Sequence, residues 1–443
     1  MSAEPGKLTA YRGHIISPVD ENNFVDWTDG CLLVDEAGTI KQVGDWNEIS
    51  KQHKELTNIV DYGKQIIMPG LIDLHIHLVQ IAQTGRSGDT LLGWLNKYIF
   101  PAEKKFSRKE HASKLADWFF RELAKNGTTL ASVFTSIHKE AADIAFEKAA
   151  ERGHRVIMGK TLMDRNAPDF LTEDCAQSLR DSEELCAKWH NYDNGRLLYA
   201  FTPRFAPTSS SEQLKGAGAL WKKFPGSYMQ THLSENVDEI AWVKELFPDC
   251  KDYLDVYASH GLTGRNSIFA HCIHLNGDQM QRMSHSDCAI AHCPSSNMFL
   301  KSGIFPLQLA REKRVKFGFG SDIAAGPEMS IFKAMKDCAY RQEELWLAPR
   351  ELFYLATLSG ARAVNLDHKV GSLEAGKEAD FIVIDPGAKS SVPRDILEQP
   401  ADDILSSLVY VGDDRMVKAT YIRGRVVYKE ESSRQSDLIA QEA

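Results

Sequence analysis

Pro69-Gly70-Leu71-Ile72-Asp73-Leu74-His75-Ile76-His77 is a short apolar run that stops in two histidines one residue apart. Side chains at alternate positions of a strand share a face, so His75 and His77 can aim the same way and share one metal ion. By itself a His-x-His pair is a weak signal, because two histidines fall on one strand by chance often enough. Its weight depends on how the other apolar runs end.

Eight such runs can be counted in the middle of the chain, at 66–77, 128–134, 155–164, 197–204, 227–232, 267–271, 288–292 and 315–322. Each is short and apolar throughout, as a parallel strand buried on both faces should be. Amphipathic helical stretches lie between them. In one, Ala112, Leu115, Phe119 and Leu123 keep helical spacing, Ser107 with Glu110 suggests a capping box at its start, and Asn126-Gly127 marks its end. Eight strand–helix units predict an α/β chain with a (β/α)8 TIM-type barrel. No repeat of fixed period points to a solenoid instead.

The C-terminal ends of barrel strands face one mouth. There the fifth run ends in His232, with Glu235 three residues on in the loop. The sixth ends in His271 and the eighth in Ser321-Asp322. Taken singly, Asp322 suits a helix N-cap as well as a ligand, and Glu235 suits a solvated loop. Together they are the nitrogen and oxygen donors that catalytic zinc uses, with one position left to water. Glu235 is then placed to shuttle a proton from that water, and Asp322 to activate it. Iron or another divalent ion would accept the same donors. The seventh run ends in His292, which is as compatible with a structural role as with a place behind the site.

The two ends of the chain read differently. Cys31 to Val43 forms a hairpin pattern around Gly38, residues 380–384 form a strand, and residues 419–428 form a second hairpin around Arg423-Gly424. The expected organisation is residues 1–66 and 369–430 as two parts of one composite β domain. Residues 67–368 form the barrel, and 431–443 a polar, flexible tail.

Composition sets outer bounds. A net charge of −9 over 443 residues gives no general attraction for phosphate backbones, so nucleic acid is not an expected partner. No run of about 18 apolar residues predicts a membrane span, and residues 1–13 carry no apolar signal core. Eight scattered cysteines without a Cys-x-x-Cys pair suit reduced thiols in the cytoplasm. One pattern of zinc site pairs His-x-Glu with Pro-Cys-x-x-Cys. His138-Lys139-Glu140 meets the first half here, but nothing supplies the second.

The opening motif, the eighth-strand Asp322 and the segment Gly371 to Asp380 resemble the amidohydrolase superfamily. More specific stretches resemble its guanine-deaminating branch. They are Trp94 to Tyr98 with Phe100-Pro101-Ala102-Glu103, Thr202-Pro203-Arg204-Phe205, His232 to Asn236, Ala291 to Asn297 and Gly412 to Arg415. Ser321 replaces the usual Thr and keeps its hydroxyl.

The resemblance implies His75, His77, His232 and Asp322 as ligands of one Zn2+ per subunit. Glu235 and Asp322 would be the proton-transfer groups, and His271 would polarise the attacked centre. It further implies Gln80, Arg204 and Phe205 as contacts to guanine, and a cytoplasmic homodimer. Some superfamily members bridge two metals with a carboxylated lysine on the fourth strand. Arg204 stands at the end of that strand here, so a single metal is expected. A forked cation suits a carbonyl such as guanine O6, and a site built for a carbonyl rejects an amino group in its place. Phe205 is balanced between stacking on the ring and ordinary core packing. A triazine-type amino-heterocycle is the nearest rival substrate.

Overall fold

The computed structural model describes residues 7–87, 91–393 and 395–430, and the stretch expected as a tail, 431–443, lies outside them. The chain begins with a sheet, not with the barrel. Its strands are β1 (Thr9–Pro18), β2 (Phe24–Val34), β3 (Ile40–Asp45) and β4 (Asn58–Pro69). The barrel follows with β5 (Leu71–His77), β6 (Thr128–Phe134), β7 (Arg155–Gly159), the short β8 (Thr161–Leu162), β9 (Leu197–Pro203) and β10 (Tyr228–Leu233). It ends with β11 (Ser267–His271), β12 (Ala289–His292) and β13 (Lys316–Phe319). β14 (Phe381–Ile384), β15 (Val417–Ile422) and β16 (Arg425–Lys429) then rejoin the first sheet, whose order is β16-β15-β14-β4-β1-β2-β3. Both ends of the chain thus build one sheet, as the paired strand signals predict.

Apart from β8, which pairs with β9, the barrel strands are ordered β13-β12-β11-β10-β9-β7-β6-β5 and run parallel. Polar groups join the last strand to the first. The Asp322 N–H donates to the His75 carbonyl at 2.8 Å, and the Asp73 carboxylate accepts from the Ser321 N–H at 3.0 Å and from its hydroxyl. Asp73 is fully buried, and burial pushes its carboxyl up to about 7 against those hydrogen bonds.

Three expectations are corrected. The run 66–77 is two strands. Gly70 lets the chain leave the terminal sheet for the barrel, and a Cβ there would sit 2.0 Å from the Thr129 hydroxyl. The run 155–164 is interrupted at Lys160, whose fully buried ammonium pairs with Glu173 at 2.5 Å. The helix Lys109–Lys125 forms, but without a capping box. Arg108 stands at its N-cap, and the Ser107 hydroxyl donates to the Lys104 carbonyl one turn back.

The β15–β16 hairpin turns through Arg423 and Gly424, both at positive φ, the turn that matches the twist of two antiparallel strands. The terminal sheet packs on the last turn of the helix Lys109–Lys125 and on the start of β7. The Thr420 hydroxyl donates to the Ala124 carbonyl, and Arg155, fully buried at the start of β7, pairs with Asp380 at 2.8 Å and with Glu378. All eight cysteines are unpaired thiols. Among the described residues no helix is long and apolar enough to cross a membrane.

Candidate active site

β5, β10, β11 and the turn after β13 bring their terminal side chains to one point. His77 Nε2 lies 3.2 Å from both His75 Nε2 and His232 Nε2. Asp322 Oδ1 lies 3.3 Å from His75 Nε2 and 3.4 Å from His77 Nε2. Donors about 2.0–2.1 Å from a tetrahedral ion stand about 3.3 Å apart, so the spacing of this set fits one zinc-sized cation.

The protonation states suit it too. Burial, with the neighbouring cationic groups, holds the His77 and His232 rings well below their ordinary range, and burial lowers His75 against its hydrogen bond with Asp322, which favours the neutral ring that binds a metal. His232 Nδ1 donates to the Arg204 carbonyl at 2.6 Å, which puts its lone pair on Nε2. Burial opposes the Asp322 carboxylate, but hydrogen bonding and charge from His75 prevail and hold it ionised, well below the usual range.

The backbone here is bent to purpose. Ser234, His271 and Asp322 have φ of 49°, 70° and 49°. Such left-handed residues cost on the order of 1–3 kcal/mol each and persist where the surroundings over-determine them. Here those surroundings include the Asp322-to-His75 backbone bond and a Cys272 N–H donated to the Leu233 carbonyl.

His271 sits beside the donor set. Its Nε2 is 3.6 Å from Glu235 and 3.8 Å from the second Asp322 oxygen, and its Nδ1 pairs with Asn297 Oδ1 at 2.9 Å. Burial lowers its pKa, but the Glu235 and Asp322 charges and the Asn297 hydrogen bond outweigh that and raise it, which favours a protonated, donating ring. Burial pushes the Glu235 carboxyl up to about 7, against the pull of His271. A carboxyl near neutrality can both give and take a proton.

Opposite the histidines, the pocket is lined by Gln80, Trp94, Leu95, Arg204, Phe205 and Leu300. Phe205 faces it while its ring also meets Trp242 at 6.4 Å, so pocket wall and core packing are both served. Every candidate site residue from the sequence therefore falls in or directly beneath one buried pocket. His138 lies apart, in an open cleft with Glu173 and Asp181. His292 is buried behind the site, stacked 4.5 Å from Phe305, with burial pushing its pKa down to about 3.

Sequence reasoning gave no role to several residues that hold the site. Glu239 accepts from the Glu235 and Asn236 N–H groups at 3.0 and 3.1 Å and from the Tyr253 hydroxyl at 2.7 Å, so it pins the loop that carries Glu235. The spacing Asn236-x-x-Glu239 is a capping box and was legible. Tyr257 joins the fourth and fifth strand ends by taking the Ala206 N–H and donating to the His232 carbonyl. Nothing local in the sequence marks it.

A barrel with this donor set at its mouth is the architecture of metal-dependent hydrolases. The amidohydrolase family model matches residues 66–427, and the chain belongs to that family. Within it, the guanine deaminase of Escherichia coli is 43% identical over 90% of this chain and 91% of its own. The solved E. coli guanine deaminase superposes with a TM-score of 0.90 at 40% identity, over 96% of this chain and all of that one. A guanine deaminase from C. acetobutylicum, solved with guanine bound in its active site, gives 0.88 at 33% identity over 95% and 100%.

Proposed function

We infer that this chain is a guanine deaminase, which hydrolyses guanine to xanthine and ammonia. The observation that carries the reading is the cluster of His75, His77, His232 and Asp322, whose donor atoms lie 3.2–3.4 Å apart through His77 and Asp322, beside a pocket whose wall includes the carbonyl-binding donors Arg204 and Gln80. The likeness to guanine deaminases along nearly the whole chain supports it.

In this reading those four side chains hold one Zn2+ per chain. The ion supplies a Lewis acid that lowers the pKa of a water toward about 7. Asp322, ionised and in contact with two of the histidines, takes the proton from the attacking water. His271 polarises and orients the attacked C2 centre. Glu235 protonates a ring nitrogen and then carries a proton to the departing amine. Arg204 and Gln80 hold O6, and Phe205 packs on the ring. We further propose that the enzyme works in the cytoplasm as a homodimer in purine breakdown.

The test is an absorbance assay with guanine, adenine and ammeline side by side, on zinc-replete and chelated protein. Guanine should give xanthine faster than adenine or ammeline loses its amino group, and the activity should stop on chelation and return with zinc; no xanthine from guanine ends the reading. Glu235→Gln should keep stoichiometric zinc and lose about 10²- to 10⁴-fold in turnover. Near-normal turnover would remove Glu235 from its role.

A further inference from the structure

Two of the proposed substrate contacts share a partner that the mechanism above does not use. Glu103 closes the short helix Phe100–Glu103 and is only 3% exposed. Both its oxygens accept from Arg204 Nη1, at 2.8 and 2.7 Å. Gln80 Nε2 donates to Oε1 of the same carboxylate at 3.3 Å. The Arg204 guanidinium also lies 5.6 Å from the Phe100 ring centre, so one helical turn supplies both the counter-charge and an aromatic face.

The chemistry of the pocket wall follows from this. A guanidinium has five donors in a rigid plane. With Nη1 committed to Glu103, the Nε and Nη2 edge is left for a ligand. The Gln80 amide is fixed in one sense, because flipping it would set its carbonyl against a carboxylate. The wall therefore offers hydrogen-bond donors without a net positive charge. An uncompensated buried arginine would instead favour an anionic ring.

We propose that Glu103 is a specificity-determining positioning residue. It orients Arg204 and Gln80 and cancels the charge of the wall, so that the pocket admits a neutral oxo-purine and disfavours an anionic one. The proposal rests on the guanine reading. The dioxo product, with its extra carbonyl and ring N–H, is the more acidic ring, so the same device assists its release.

The experiment compares wild type, E103Q, E103D, R204Q and the double variant E103Q/R204Q. Guanine kinetics are measured together with xanthine inhibition on both sides of the xanthine ring ionisation, zinc content and thermal midpoint. E103Q should keep its zinc and raise KM for guanine about tenfold or more, with a smaller change in kcat. Its inhibition by xanthine should tighten selectively where xanthine is anionic, and E103D should fall between. In the R204Q background the E103Q effect should shrink to within about twofold, because the carboxylate acts through the arginine. Wild-type KM and an unchanged xanthine pH profile in E103Q overturn the proposal, as do independent effects in the double variant. Should E103Q not fold, E103D carries the test, and a wild-type KM for guanine with an unchanged xanthine pH profile in E103D overturns the proposal. A wild-type chain that leaves guanine intact overturns the functional reading and this inference together, whereas active wild type with an indifferent Glu103 overturns the inference alone.

Discussion

The barrel buries ionisable clusters at both ends, and they are built on opposite plans. At the entrance of β7, Arg155 meets Asp380 and Glu378, and Arg423 adds a second cation to Glu378. Each charge faces its opposite, and the two acids hold the buried guanidinium protonated against the cost of burial. At the mouth, three imidazoles whose pKa values burial lowers crowd together, with the Nε2 atoms of His75 and His232 each 3.2 Å from His77 Nε2. The first cluster has its charges compensated within the chain, although Arg155 Nη1 is buried without a hydrogen-bond partner among the described residues, and it ties the terminal sheet to the barrel. The second is complementary to a cation the chain does not itself supply. Burial of charge thus marks an active site only where the chain leaves it uncompensated.

The largest separation of the two clusters is expected in catalysis. Asp322→Asn removes a proposed ligand and base together and should cut turnover by about 10⁴-fold or more, as steady-state assay at stoichiometric zinc would read. The same contrast should appear inverted in stability. In chelated protein His77→Gln should leave the thermal midpoint unchanged or raise it, since it relieves a crowded set of buried ring nitrogens. A fall comparable to that of a core variant would make the cluster structural.

Asp380→Asn should give the next largest effect. It leaves Arg155 short of a partner in a dry environment, a change worth about 3–5 kcal/mol, read by denaturant midpoint with and without zinc. Turnover per bound zinc of the folded fraction should stay within a few-fold of wild type. A selective loss of kcat would join the two ends of the barrel functionally and erase the contrast.

Much of this was legible beforehand. The barrel and its mouth follow from short apolar runs and the residue type at each end, because strand geometry makes period and direction local properties. The composite sheet was legible from strand signals at both termini. The strand junction at Gly70 was not, because a hinge inside a continuous apolar run changes no residue's polarity; only the close approach of Thr129 reveals it. Lys160 was hidden for the same reason, as one cation in an apolar run does not announce a partner at Glu173. The supporting partners of the site, Glu103, Glu239, Tyr257 and Asn297, reach it from helices and loops elsewhere in the chain. Glu103 and Asn297 lie in motifs that resemblance flagged, but contact across the fold is what gives them a function.

Asn297 yields the smallest and finest test. Its Oδ1 takes the Nδ1–H of His271 at 2.9 Å, which commits the other ring nitrogen to the side where Glu235 and Asp322 stand. Its Nδ2 is buried without a partner among the described residues, as are both ring nitrogens of His292 and the Ser296 hydroxyl. Such a group of buried polar atoms suits ordered water behind the site. Removing the acceptor should free the His271 ring to rotate and lower its pKa, since one of the interactions that raise it is lost. Partners that orient a site residue in this way are typically worth about 10- to 100-fold. Asn297→Ala should therefore lower kcat by that factor with zinc content unchanged. Asn297→Asp keeps the acceptor, adds a charge, and should restore most of the rate while shifting the dependence on pH upward. If alanine and aspartate lower kcat equally, orientation of His271 is not what Asn297 provides. The mouth would then owe its order to the proposed zinc ligands alone, unlike the entrance cluster, where every charge is set by a neighbour.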